Sequence, residues 1–476
     1  MATGARVVGA TTLILLLCGG AYLTADAHDV VPGPLTLEPV QSPPPPFPTA
    51  PGAVEAPDPD PALTDLDPQA PVPTAAKIQP LVNALASDER LGSAKHVGIV
   101  VSDQLTGDVL GSHLPDDGRT PASNAKLVTA VGALSALPGD TTLPTRVVRG
   151  SADQIVLVGG GDMMLGSDKG DDDAVLGHAG IGDLARATAK KLKLAGTTSV
   201  SLGFDDSLFT GPTLSPGWDD NDIAAGYVAP VTALAVNIAA TRPFQGIEDY
   251  PPRYPDPSAA AARTFAQRLE AAGITVQGTP TRTTAPSGAQ QLAVVRSAPL
   301  EQIVHFFLDT SDNTITEVVS RLVAIQAELP ASFDGGTQAV LRAVQLAGVD
   351  TKGAHLADAS GLGYDSKLPA RMLADLVKLS TDPANPELRS VAIGMPIAGL
   401  TGTLTDRFTL SPARGYLRAK TGSLKHVTAL SGTILDSEGR QLVFSVIADG
   451  TPDGGQWAPR QAIDAFATTL SKCGCH

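Results

Sequence analysis

The pattern of hydrophobic and polar positions divides the chain into three kinds of segment. Residues 1–27 contain one apolar run, residues 28–76 are rich in proline without a regular pattern, and periodic segments follow almost to the end. Short apolar runs such as Val97–Val101 and Leu292–Arg296 predict strands. Longer segments with apolar residues three and four apart, such as Gly182–Leu194, predict amphipathic helices. The chain therefore contains a large folded region of mixed structure.

The order of these elements predicts an α+β fold. Two predicted strands, Val97–Val101 and Asp108–Leu110, precede a long series of helices and strands, and three more strands at 415–421, 427–435 and 441–448 lie near the end. Consecutive antiparallel strands flanked by helices are typical of α+β domains. We expect the first pair and the last three strands to share one sheet.

The length predicts more than one folded part, because 476 residues exceed the usual size of a domain. We expect residues 77–140 and 296–472 to form one domain, which would carry the chemistry described below. Residues 141–295 would form an inserted α/β unit within it, and residues 473–476 a short tail that contains two cysteines.

The first residues have the pattern of an export signal. Arg6 precedes the apolar run Val7–Leu17, and Ala25–Ala27 contains the small residues of a cleavage site. The longer stretch Val7–Leu23 is close to the shortest length that spans a bilayer, so the pattern allows a cleaved signal or a retained membrane anchor through residues 7–23. Residues 28–76 predict a disordered, extended spacer. We expect the folded region to act outside the cytoplasm, in the periplasm or cell wall.

The net charge and the spacing of cysteines and histidines argue against nucleic-acid binding and against a metal site. The net charge of −15 argues against a nucleic-acid partner, because phosphate binding needs a basic face. The three cysteines and eight histidines show none of the spacings of zinc sites, so we predict no metal and no other cofactor. Cys473 and Cys475 are compatible with a disulfide within the tail, a disulfide between chains, or neither.

A serine and a lysine at the start of one predicted helix are the first candidates for chemistry. Pro121 and the run Ala125–Leu137 predict a helix that begins close to Ser123. Ser123 and Lys126 are three residues apart and would share one face of that helix. A hydroxyl and an amine held so close can act as a nucleophile and its base. The same pattern also occurs as a helix cap followed by an exposed lysine, so the pair alone does not distinguish a catalytic site from a structural cap.

Two later motifs supply a proton relay and substrate-binding groups, which the pair of Ser123 and Lys126 lacks. Ser311-x-Asn313 and the Lys-Thr-Gly that begins at Lys420 each occur once in the chain. Ser311 could relay a proton to a leaving amine, and Asn313 could bind both Lys126 and the substrate backbone. Lys420 could lower the pKa of Lys126 by repulsion and offer positive charge to a terminal carboxylate.

The residues after Lys420 would bind substrate. Thr421 adds a hydroxyl, and Gly422 would let substrate approach the strand edge closely. The N–H of Ser423 could join the N–H of Ser123 as an oxyanion hole, which stabilises the negative oxygen that forms when a carbonyl is attacked.

In this order, the three motifs resemble those of β-lactamases and penicillin-binding proteins. The long gap between the first two motifs narrows the resemblance to the low-molecular-mass class C penicillin-binding proteins, which are D-alanyl-D-alanine carboxypeptidases that also act as endopeptidases. The resemblance covers about residues 78–472. Segments outside the three motifs that carry it are Gly159–Asp162, Asp205–Phe209, Ala229–Leu234, Asp358–Leu362 and Leu400–Leu404.

The resemblance implies a serine DD-peptidase fold with additional domains inserted between the first two motifs. It implies hydrolysis of the terminal D-alanine of peptidoglycan stem peptides, or of the cross-link to diaminopimelate, through an acyl-enzyme on Ser123. It further implies that β-lactam antibiotics acylate Ser123 as covalent inhibitors.

Two positions bear on the substrate side chain. Asp222 follows Trp218 in a loop where family members place an Asp that holds the amino end of diaminopimelate, so the resemblance makes Asp222 a candidate substrate-binding residue. Some members place an Arg two residues after Ser-Gly-Leu to hold the side-chain carboxylate. This chain has Tyr364 there, which favours an amidated or differently presented stem peptide.

Three other functions fit the same residues less well. A β-lactamase of this fold would need a deacylating Glu loop, and none is identifiable. A catalytically silent wall-binding protein would not need all seven motif positions. A metallopeptidase is excluded because the histidines lack a His-x-x-Glu-His or similar spacing.

Overall fold

An antiparallel sheet of five strands joins the two ends of the folded region. The computed structural model describes residues 20–26, 28 and 66–474. The strand order is β10-β11-β12-β1-β2, so the first two strands and the last three share one sheet, as predicted. The strands are β1 (Val97–Asp103), β2 (Val109–His113), β10 (Arg418–Leu424), β11 (Val427–Leu435) and β12 (Gln441–Ala448). These strands and the helices on them confirm the predicted α+β class.

A second sheet lies in the segment that was predicted to be inserted. This sheet is mixed, with the strand order β8-β6-β4-β3-β9. The same segment of the chain also contains a separate two-stranded parallel sheet, β5-β7. The strands are β3 (Pro144–Arg149), β4 (Gln154–Val158), β5 (Asp162–Leu165), β6 (Ser199–Asp205), β7 (Leu234–Val236), β8 (Thr275–Arg282) and β9 (Gln291–Arg296). The sequence did not predict β5 or β7. The described residues from 66 to 474 belong to one compact unit, so the division into a catalytic and an inserted domain stays a proposal.

Helices cover these sheets and fill the space between them. The predicted helical segments Ala125–Leu137 and Gly182–Leu194 are both helices, each with one end shifted by one residue, while the short helices α4 and α10 were not predicted. The helices are α1 (Ala75–Ala86), α2 (Ala125–Ala136), α3 (Ile181–Leu194), α4 (Asp220–Ala224), α5 (Pro257–Ala271), α6 (Leu300–Thr310), α7 (Asn313–Gln326), α8 (Phe333–Leu346), α9 (Ala370–Thr381), α10 (Arg389–Gly394) and α11 (Trp457–Ser471).

The helix that follows Ser123 is the most deeply buried one near the site. All residues of α2 from Ala125 to Leu134 are buried, so it lies in the centre of a helical layer and not on the surface. Gly132 allows α8 to approach, because a Cβ atom there would lie 2.9 Å from the Val340 carbonyl oxygen. Close packing of this kind holds a helix in one position, and with it the serine at its start.

A buried ion pair joins the end of β1 to the turn that precedes the neighbouring strand β12. The Arg440 guanidinium donates to both carboxylate oxygens of Asp103, with 2.7 Å between Nη2 and Oδ2. Arg440 also donates to the carbonyl oxygens of Pro68 and Ala70. The turn between β11 and β12 is thereby held to the end of β1 and to the start of the folded region.

The amino-terminal predictions lie mostly outside the described residues. Residues 20–26 are helical, while the apolar run Val7–Leu17 and nearly all of the predicted spacer are not described. Among the residues that are described, no helix has the length and apolar character needed to cross a bilayer.

Candidate active site

Ser123 and Lys126 meet at the start of α2. Ser123 lies in a single 3-10 turn, Ala122–Asn124, that leads into the α-helix. The Lys126 ammonium donates to Ser123 Oγ over 2.9 Å and to the Ser360 carbonyl oxygen over 2.8 Å. It also donates to Asn313 Oδ1 over 2.7 Å. The lysine that was predicted to be the base is thus bonded to the predicted nucleophile and to the second motif.

Burial changes the acidity of Lys126. Its side chain has no exposed surface, and this loss of solvation lowers its pKa to about 8. Asp312, Asp358 and Glu317 oppose the shift because their negative charges favour the ammonium form. A considerable fraction of Lys126 is therefore neutral, and able to accept a proton, at mildly alkaline pH.

The second motif lies in the connection between α6 and α7. Ser311 has a left-handed backbone (φ 60°) that turns the chain between the two helices, and Asp312 caps α7 by accepting from the Ile315 N–H. Asn313 Nδ2 donates to the Tyr227 carbonyl oxygen over 2.9 Å. The Asn313 amide that we expected to face the substrate backbone is therefore engaged by Tyr227.

Lys420 lies behind the wall of the site. It is fully buried, and its ammonium donates to Ser311 Oγ over 2.9 Å and to the Thr421 carbonyl oxygen over 3.0 Å. Burial, together with the nearby charge of Lys126, holds its pKa well below the usual lysine value. The repulsion between the two lysines thus affects Lys420, whereas Lys126 is shifted by burial. Because Lys420 has no exposed surface, its predicted interaction with a substrate carboxylate stays a prediction.

The strand β10 brings the rest of the third motif to the site. Thr421 Oγ1 lies 2.7 Å from Thr403 Oγ1, so the two hydroxyls share a hydrogen bond. A Cβ atom on Gly422 would lie 2.7 Å from the Pro121 carbonyl oxygen and 2.8 Å from Asn124 Nδ2. Gly422 therefore makes room for the turn that carries Ser123, and its predicted role in letting substrate approach the strand stays a prediction.

One cavity of about 890 Å³ opens over these residues. The two lysines do not line it. The predicted site residues that do line it are Ser123, Ser311, Asn313, Thr421, Gly422, Ser423 and Asp222.

Asp222 and Tyr364 belong to one part of this cavity wall. Asp222 lies on α4, and burial together with the Asp219 charge raises its pKa. Burial also raises the pKa of Tyr364, and the negative charges of Asp222 and Asp219 add to the effect. The Tyr364 hydroxyl oxygen accepts from the Lys425 N–H over 3.2 Å. The structure thus brings together the two positions that the sequence associated with the substrate side chain.

A buried network beneath the serine was not predicted as part of the site. Asp358 is fully buried and accepts from Trp218 Nε1 over 2.9 Å and from the N–H groups of Gly361 and Gly363 over 2.6 and 2.7 Å. These bonds fix the turn whose Ser360 carbonyl accepts from Lys126.

Glu317 supports the same turn from α7. Its carboxylate accepts from the N–H groups of Ala359 and Ser360, and burial together with Asp358 raises its pKa to about 7. The sequence feature that could have identified Glu317 is its spacing from Asn313, because residues four apart share one face of α7.

Within the described ranges, no group of three or more His, Cys, Asp or Glu side chains is arranged to hold a metal ion. Cys473 is disulfide-bonded, whereas Cys475 lies outside those ranges.

The chain is similar to known carboxypeptidases over most of its length. The model of the D-Ala-D-Ala carboxypeptidase 3 (S13) family matches residues 78–244 and 252–470. The carboxypeptidase Rv3627c of Mycobacterium tuberculosis is 38% identical over 85% of this chain and 85% of its own length. The carboxypeptidase DacB of Mycolicibacterium smegmatis is 34% identical over 87% of this chain and 88% of its own length.

Solved structures show the same fold. Penicillin binding protein 4 (DacB) from Haemophilus influenzae superposes with a TM-score of 0.66, at 22% identity, over 79% of this chain and 96% of that one. Bd3459, a peptidoglycan endopeptidase from Bdellovibrio bacteriovorus, gives a TM-score of 0.51 at 16% identity, over 79% of this chain and 92% of that one. At these identities the likeness concerns the fold alone.

The Asp358 network should be measurable as stability. Asp358→Ala leaves the Trp218 N–H and two backbone N–H groups without their buried acceptor, and we expect it to cost about 2–5 kcal/mol in the free energy of unfolding. The chain has two tryptophans, so urea unfolding followed by fluorescence in a Trp457→Phe background reports on Trp218.

Asp365→Ala is the matched control for this experiment, because Asp365 is an exposed carboxylate on the same loop. We expect it to change stability by less than about 0.5 kcal/mol. Equal unfolding midpoints for the two variants would contradict the role given to Asp358.

Proposed function

Because this chain belongs to the D-Ala-D-Ala carboxypeptidase 3 (S13) family, we propose that Ser123 is the nucleophile and Lys126 the base of its reaction. The protein is a serine-type D-Ala-D-Ala carboxypeptidase of the low-molecular-mass class C penicillin-binding proteins. The observation that carries the assignment of Ser123 is the 2.9 Å hydrogen bond between its hydroxyl and a buried lysine. Relatives that are carboxypeptidases support this function over the β-lactamase and wall-binding alternatives.

In the first step, neutral Lys126 takes the hydroxyl proton of Ser123 as Oγ attacks the carbonyl carbon. The N–H groups of Ser123 and Ser423 stabilise the resulting oxyanion, which is the role that fixed backbone donors perform in acyl transfer. Both residues line the same cavity, which supports this pairing.

In the second step, the C–N bond breaks and the leaving amine takes a proton from the Ser311 hydroxyl. Ser311 regains a proton from Lys126, which thereby passes on the proton it took from Ser123 and is neutral again, while the hydrogen bond from Lys420 orients the Ser311 hydroxyl. A water molecule then attacks the acyl carbon, with Lys126 again acting as the base, and Ser123 is released with its proton.

The family acts outside the cytoplasm, and we propose peptidoglycan stem peptides as the substrate. Both the terminal D-alanine and the cross-link to diaminopimelate are proposed cleavage sites. β-Lactams carry a reactive amide bond and are proposed to acylate Ser123 in place of the peptide. Residues 1–27 are proposed to direct export and residues 28–76 to form a spacer.

Acylation of Ser123 tests the proposal directly. After incubation with a penicillin, mass spectrometry of the digested protein should show one adduct on the peptide that contains Ser123. Ser123→Ala should form no adduct, whereas Ser135→Ala, an exposed serine on the same helix, should react like the unchanged protein. An adduct that persists on the Ser123→Ala protein would refute the assignment.

Asp222 is proposed to bind the amino group of the substrate side chain. Asp222→Asn removes the charge while keeping the shape, and we expect kcat/KM for a diaminopimelate peptide to fall about tenfold, or about 1.4 kcal/mol. The same peptide with its side-chain amine acetylated should lose almost nothing, because that amide carries no charge to recognise.

Asp220→Asn is the control for Asp222→Asn, since it changes an exposed carboxylate on the same short helix. We expect normal rates on both peptides. If Asp222→Asn affects the free amine and the acetylated peptide equally, Asp222 does not recognise the amine.

A further inference from the structure

The proposed reaction leaves one charge on the substrate without a partner. A carboxypeptidase removes the last residue of a peptide, so a free carboxylate lies next to the bond that Ser123 attacks. Burying an unpaired charge is unfavourable, and such sites usually supply an opposite charge. Lys420 is fully buried and does not line the cavity, so a cation on the cavity wall is better placed to contact this carboxylate directly.

Two of the four cations that line the cavity are already engaged. Arg407 forms two hydrogen bonds to the Asp464 carboxylate, which neutralises it. Arg253 donates to the carbonyl oxygens of Gly226 and Ile238. Its guanidinium also lies over the ring of Phe244, 5.0 Å from the centroid.

The remaining two cations, Lys425 and Arg460, lie near different residues of β10. Lys425 follows the end of the strand, and its N–H is bonded to Tyr364, beside the acidic group of Asp222. Arg460 lies on α11 and donates through Nη2 to Ser423 Oγ over 3.1 Å. Arg460 therefore reaches the strand residue that directly follows the Lys-Thr-Gly motif.

The positive charge of Arg460 is only partly offset by the negative charges around it. None of the ion pairs formed by the described residues includes Arg460. Burial and the nearby charge of Arg407 lower its pKa, while Glu248 and Asp464 oppose the shift from a distance. An arginine in such a position gains from a carboxylate that accepts its planar N–H groups.

We propose that Arg460, together with the hydroxyls of Ser423 and Thr421, binds the C-terminal carboxylate of the peptide. This inference rests on the proposed function, because it places the peptide along β10 with its scissile carbonyl at Ser123. Arg460 would then favour peptides that end in a free carboxyl group.

Paired substrates test this role. One is an acylated D-alanyl-D-alanine peptide with a free C-terminal carboxylate, and the other is the same peptide with a C-terminal amide. We expect the ratio of their kcat/KM values to fall at least tenfold in Arg460→Gln, which keeps a donor for Ser423 but removes the charge. Arg460→Lys should recover part of the ratio, and Lys425→Ala should leave it unchanged.

A purely structural role of Arg460 gives a different result. Loss of its bond to Ser423 alone would slow both peptides equally and leave their ratio constant, which would overturn the proposal. A ratio that collapses in Lys425→Ala instead would also overturn it, because the anchoring cation would then be Lys425.

A neutral reagent separates this proposal from the proposed function. A fluorophosphonate reacts with an activated serine and has no carboxylate, so it should label Ser123 equally in the unchanged protein and in Arg460→Gln. Normal labelling with an unchanged peptide ratio would refute the role of Arg460 alone. No labelling of Ser123 in either protein would refute the nucleophile on which both proposals rest.

Discussion

The burial of Lys126 is the constraint on which the rest of the site depends. An ammonium group without solvent must find hydrogen-bond acceptors inside the protein. Lys126 finds three, and they come from different parts of the chain: Ser123 Oγ, Asn313 Oδ1 and the Ser360 carbonyl oxygen. The lysine therefore joins the start of α2, the start of α7 and a turn, and its own need for partners assembles the motifs.

The surrounding fold makes this burial possible. α2 is packed on all sides, and Gly132 and Gly422 let α8 and β10 approach its axis and its first turn closely. Asp358 and Glu317 hold the turn that offers the Ser360 carbonyl and partly offset the cost of the buried charge. A base that is rigid and only weakly solvated is suited to accept a proton near neutral pH.

The lining of the cavity includes a segment that the family model does not match. The family model matches on both sides of residues 245–251 but not within them. Gly246, Ile247, Glu248, Asp249 and Tyr250 of this segment all line the cavity. Tyr250 meets the ring of Tyr227 edge to face, and the Tyr227 carbonyl accepts from Asn313, so the segment is linked to the site by direct contacts.

Much of the fold and the motif residues could be predicted from local patterns. The bounds of β11 and β12 follow from continuous apolar runs, and Ser123, Lys126, Ser311 and Asn313 meet as their motifs indicated. The strand β10 starts at Arg418, later than expected, because residues 413–417 form a turn.

What could not be predicted depends on contacts between distant segments. The closed position of Lys420, the approach of Arg460 to Ser423 and the packing role of Gly422 leave no periodic signal in the sequence. Each follows only when helices and strands far apart in the chain are brought together.

The pH dependence of Ser123 acylation tests the central claim most directly. The rate constant for acylation by a β-lactam, measured from pH 6 to 10, should rise with pH because only neutral Lys126 accepts the proton. Half of the maximal rate should be reached near pH 8, since burial lowers the pKa of Lys126 to about 8. A rate that is constant over this range, or that rises only near the ordinary lysine pKa of about 10.4, would contradict the account.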